Sequence, residues 1–178
     1  MPDSTVIPHV LGTIALISIF LAMEAYYDGF YAKLSEEAYE AQLRQVAEYV
    51  ASNFIDLVVV AQVAEGEVFM VKRLDIPRFI GGKPYNITLT EIQRGGGVSL
   101  VSIILSRDRA DLYSAVDLPW TADAISIYSD QGVTPPYNMT LTSRLESVDD
   151  QGGAFTIVAW CWRSGDSIVI GLGLMGEG

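Results

Sequence analysis

Residues Val6 to Met23 read VIPHVLGTIALISIFLAM, an apolar run that contains no Lys, Arg, Asp or Glu. At 1.5 Å per residue, a helix of this length nearly crosses the roughly 30 Å hydrocarbon layer of a bilayer. Its helix-core or membrane-contact candidates are Val10, Leu11, Ile14, Leu16, Ile17, Ile19, Phe20 and Leu21. Tyr26, Tyr27, Phe30 and Tyr31 follow it. Such rings favour the headgroup boundary, where an apolar body and a polar tip are both satisfied. Past them, Leu34, Ala38, Ala41, Leu43, Val46, Ala47, Val50, Ala51, Phe54, Leu57 and Val58 recur mostly at spacings of three and four. That is the helical period, and Glu36, Glu37, Glu40, Arg44 and Glu48 occupy the other face. Gly29 costs the helix about 1 kcal/mol relative to Ala and marks a place for a bend. Val10 to about Val60 is therefore expected to form one rod, on the order of 75 Å long.

The pattern changes near Ala64, and the sequence divides into residues 1–62, a membrane or filament-core helix with an amphipathic extension, and 63–178, a β-domain. Short Val, Ile, Thr, Tyr and Leu runs separated by Gly, Pro and Asp predict antiparallel strands. The expected strands are Val68 to Leu74, Tyr85 to Gln93, Val98 to Leu105, Ala124 to Ser129, Tyr137 to Leu145, Ala154 to Trp162 and Ser167 to Leu174. Arg94 to Gly97 and Asp149 to Gly153 read as hairpin connections. About seven short strands in this length predict an immunoglobulin-like sandwich, with a small barrel as the alternative. The fold class is thus α+β.

Within the β-domain, Pro84-Tyr85-Asn86-Ile87-Thr88-Leu89-Thr90 returns as Pro136-Tyr137-Asn138-Met139-Thr140-Leu141-Thr142. Asp75-Ile76-Pro77 and Asp117-Leu118-Pro119 precede the copies, which predicts two related strand units with Tyr85 and Tyr137 in equivalent core positions. The longer second insert, Trp120 to Thr134, reads as a decorated loop. Each copy holds a sequon, so Asn86 and Asn138 are candidate glycosylation sites. Trp120 and Tyr128, with Pro135 and Pro136, are candidates for surface recognition.

Charge narrows the partners. A net charge of −11 excludes a nucleic-acid partner, which requires a basic footprint, and argues against adhesion to anionic lipid headgroups. Membrane attachment then rests on the apolar helix. The one histidine, His9, lies at the mouth of the apolar run, so the β-domain lacks an imidazole for a Ser-His triad, a Cys-His dyad or a zinc site. No enzyme and no cofactor are expected. Gly171-Leu172-Gly173-Leu174-Met175-Gly176 spells a dinucleotide fingerprint, but too few residues follow for a phosphate-binding helix. Asp108 with Asp111, and Asp149 with Asp150, lack the regular oxygen spacing of a calcium loop and read as solvated turns. Cys161, the one cysteine, reads as a small buried hydrophobe.

The apolar helix, its amphipathic continuation and the following β-domain resemble, in layout over the whole chain, archaeal type IV pilin-like proteins. These include archaellum filament subunits and the membrane-anchored stator or accessory proteins of that machinery. No lysine or arginine precedes Lys33 and no small-x-small cleavage site stands ahead of Glu24, so a secretory signal peptide fits poorly. Pilin precursors carry a short basic leader, whereas this chain starts Met1-Pro2-Asp3-Ser4-Thr5, which favours an uncleaved, stator-type protein. The resemblance implies a non-enzymatic structural protein at the cell surface with its β-domain outside the cytoplasm. Its partners would be copies of itself, other pilin-like subunits or surface-layer protein. The alternative is a membrane-tethered ectodomain that recognises surface-layer protein or glycan. Lys33 and Arg44 lie after the apolar run and taken alone favour a cytoplasmic C-terminus, the one feature opposed to this topology.

Overall fold

In the computed structural model, which describes residues 6–94, 97–107, 111–129, 132–136, 138–148 and 155–176, the expected rod is one helix, α1 (Val6–Val63). It runs through Gly29 without interruption. The chain divides into two units, Met1–Tyr39 and Glu40–Gly178, so the division falls within α1 rather than at the composition change near residue 63. Residues 40–63 thus belong with the strands.

Within the second unit, Leu43, Val46, Ala47, Val50, Ala51, Phe54, Leu57, Val58 and Ala61 form a buried stripe at the helical period. Leu34, Ala38 and Ala41, expected in that stripe, are exposed. At about 100° per residue, Ala38 and Ala41 point well away from the line through Leu43, whereas Tyr39, one turn before Leu43, is buried. Polar contacts tie this segment to the sheet. Lys72 pairs with Asp56 at 2.8 Å, and the Asp75 backbone N–H donates to the Tyr49 hydroxyl at 3.3 Å. Arg163 Nη1 donates to the carbonyls of Ala61 (2.8 Å), Gln62 (3.0 Å) and Ala64 (2.5 Å), placing a cation on orphan carbonyls at the negative end of α1. The last turn of α1 has no basic residue of its own.

The strands are β1 (Val68–Arg73), β2 (Tyr85–Arg94), β3 (Gly97–Ser106), β4 (Tyr113–Thr121), β5 (Ser126–Ile127), β6 (Met139–Thr142), β7 (Arg144–Glu146), β8 (Phe155–Ser164) and β9 (Ser167–Gly176). One sheet has the order β1-β8-β9-β5, with β6 also on β9; the other runs β4-β3-β2-β7. The sheets meet where β5 approaches β2 and β7 approaches β9. The architecture is α+β, a long helix followed by two sheets. Nine strands are described, against about seven expected, and β5 pairs with β9 in parallel, an exception to the antiparallel expectation.

Each difference has a local cause. β4 contains Pro119, which reads as a strand breaker, but β4 is an edge strand and its pairing with β3 shifts register between Val101↔Asp117 and Ser99↔Thr121. The proline sits in that irregularity, where no ladder hydrogen bond is required of it. Trp120 consequently lies in a strand rather than in a decorated loop. The expected strand Tyr137 to Leu145 divides at Ser143 into β6 and β7, which belong to different sheets. Thr142 Oγ1 donates to the Arg144 carbonyl at 2.8 Å and accepts its N–H at 3.1 Å, a local pairing that competes with the ladder.

β2 and β3 pair from Tyr85↔Ser106 to Arg94↔Gly97, as the glycine-rich connection predicts; Gly95 and Gly96 lie outside the described residues. Asp149 to Gly153, also outside them, does not join a hairpin, because β7 and β8 lie in different sheets. The tight hairpin is instead β8–β9, paired to Ser164↔Ser167 around Gly165, whose φ of 61° suits glycine.

β8 is buried from Thr156 to Cys161 with no alternation, as a central strand covered on both faces requires. Trp160 is wholly buried, stacked on Phe69 with centroids 5.5 Å apart, met edge-on by Tyr128 at 5.3 Å, and donates from Nε1 to the Leu172 carbonyl at 2.7 Å. Gly171 lies opposite it, and a Cβ there would stand 2.4 Å from Trp160 Cζ2. The repeat is realised in part. Tyr85, Ile87 and Leu89 are buried on β2, and Met139, equivalent to Ile87, is buried on β6, but Tyr137 lies outside the described residues. The preceding elements diverge: Asp75 to Pro77 is irregular, whereas Asp117 to Pro119 is strand.

A candidate membrane or assembly helix

The candidate site is the first unit, whose side chains are set by helix geometry alone. Val10, Leu11, Ile14, Leu16, Ile17, Ile19, Phe20 and Leu21 are each 51% to 76% exposed. Pro8 falls in the first turn of α1, where its missing N–H leaves no helical bond unmade. The two hydroxyls of the run are satisfied within the helix: Thr13 Oγ1 donates to the His9 carbonyl and Ser18 Oγ to the Ile14 carbonyl, both at 2.9 Å. Beyond His9 at its mouth, the run thus presents no side-chain polar group that demands water, which is what hydrocarbon or a dry helix bundle requires. Tyr26 with Tyr27 and Phe30 with Tyr31 form edge-on pairs at 6.1 and 6.2 Å, all four rings exposed.

By length and composition α1 is able to cross a membrane, and none of its apolar 18-residue window is buried. A core helix of the same composition is mostly buried. Comparison with family models, curated proteins and solved structures returns no match. The reading therefore rests on the geometry of this chain.

Asn86 is buried in β2, paired opposite both Leu105 and Glu146, while Asn138 is exposed just ahead of β6. Only Asn138 is presented as a glycan acceptor. Trp120 is half-buried, and Tyr128, also half-buried, packs against Trp160. Gly171 to Gly176 lies along β9, where Gly171 and Gly173 make room for Trp160 and Met139. Asp111 is exposed; Asp108, Asp149 and Asp150 lie outside the described residues, among which no group of three potential metal ligands occurs.

Cys161 is fully buried, and burial pushes its thiol up to about 12. The folded chain holds this proton to higher pH than the unfolded chain. On this account stability is complete below about pH 9 and declines as pH rises toward 12. A disulfide reagent at pH 8 is expected to label Cys161 only as fast as the domain opens, with labelling rising through the denaturant transition. Rapid labelling of the native chain would show that the strand is not closed.

Proposed function

We propose that this chain is a non-enzymatic structural subunit of an archaeal type IV pilus-like or archaellum-like surface filament system. In this reading α1 is its core or anchor, and the β-region, an immunoglobulin-like sandwich, lies outside the cytoplasm. The observation that carries the proposal is a wholly uncovered, uncharged helical segment on the same helix whose later stripe is buried in a β-rich unit. Burying that segment in lipid or among copies of itself removes a large apolar area from water, at about 25 cal/mol per Å². A tethered ectodomain that recognises surface protein or glycan through Trp120 and Tyr128 has less support, because the Tyr128 ring is already committed to the core.

A photocrosslinking residue at position 16, in native membranes and filaments, tests the proposal. Crosslinks to other copies assign the filament core, and crosslinks to lipid assign the anchored form. Recovery of the chain in the soluble fraction with neither adduct would overturn both.

A further inference from the structure

Although the chain carries a charge of −11, two arginines of the second unit meet at one cavity. Arg73, ending β1, and Arg78, in the turn that follows, line a cavity of about 210 Å³ together with Asp75, Phe155, Ser147 and Thr156. Neither guanidinium has a hydrogen-bond or ion-pair partner among the described residues. Ser147 and Thr156 are 1% and 8% exposed. Ser147 Oγ accepts the Tyr85 backbone N–H at 2.9 Å, and its own proton has no acceptor among the described residues. Among the described residues of the lining Asp75 is the one acid, against two cations.

We propose that this cavity binds a small oxyanion of the carboxylate or phosphate class. Arginine presents forked N–H donors that match two oxygens of such a group, and the Ser147 hydroxyl supplies a further donor from the protein side. A volume of about 210 Å³ accommodates one such group and falls below the usual range of drug-sized ligand pockets. The oxyanion comes either from solution or from a second copy, on whose helix Glu37 and Glu40 are exposed. The site does not depend on the filament reading.

The test uses the full chain in detergent micelles at low ionic strength and pH 7, titrated calorimetrically with inorganic phosphate and with succinate. Saturable binding of one anion per chain is expected, weakened about tenfold or more in Arg73→Gln/Arg78→Gln and unchanged in Lys33→Gln, a cation on the helix. Sedimentation separates the sources: association that phosphate dissolves and the double variant abolishes assigns a carboxylate of another copy, whereas unchanged sedimentation assigns a free anion. Absence of saturable binding, or equal binding in a double variant with native circular dichroism, overturns the proposal. Should the double variant not fold, Arg78→Gln alone, outside any strand, carries the comparison, and undiminished binding there overturns it equally.

Discussion

Trp160→Ala is expected to destabilise the β-rich unit by about 3–5 kcal/mol, the range for deleting a buried large aromatic side chain. The ring fills the space between Phe69, Tyr128 and Gly171, and each of these loses its neighbour at once. The Leu172 carbonyl also loses the Nε1 donor. A domain of this size holds about 5–15 kcal/mol in total, so the melting temperature should fall by on the order of 10 °C or more. Gly171→Ala attacks the same space from the other side. Its Cβ would stand 2.4 Å from Cζ2, and the ring, held by its own hydrogen bond, has little freedom to move. Overpacking of this kind costs about 1–3 kcal/mol, occasionally more. Thermal unfolding followed by circular dichroism measures both. If each variant melted within 2 °C or so of the parent, the ring would not be a packing centre.

What the sequence disclosed follows from which interactions are local. The helix was legible because its period is written in residues three and four apart, and β8 because its unbroken apolar run leaves few alternatives. The candidate membrane segment was legible because residues 6–23 carry no charged side chain. Pairing was not legible. Pro119 argues against a strand unless β4 is known to be an edge, and the division of β6 from β7 depends on which sheet each joins. Arg163 reaches carbonyls about a hundred positions earlier, and no pattern along the chain announces that. The same holds for Arg73 and Ser147, which share a cavity only because β1 and β7 end near the same place. The glycines of β9 show the converse: a motif that spells phosphate binding serves ring packing once its strand partner is known.

Leu16→Arg separates a helix that meets water from one that meets lipid or other helices. Leu16 is 69% exposed, and on the surface of a soluble helix such a change stays within about 0.5 kcal/mol. At the centre of a membrane span the same arginine costs about 2.5–3.5 kcal/mol on insertion scales, and a dry bundle of identical helices repeats that cost in every copy. The variant is therefore expected to leave the membrane or filament fraction almost entirely while its β-rich unit keeps its melting temperature. Val63→Arg is the matched control. Val63 is 78% exposed at the other end of the same helix, in the unit with the strands, and there arginine should change neither fractionation nor stability. Equal, unchanged fractionation of both variants would mean that exposure near Leu16 is ordinary solvent exposure. A loss confined to Leu16→Arg, with both variants folded, means that the bare apolar half of α1 is completed by something that excludes charge.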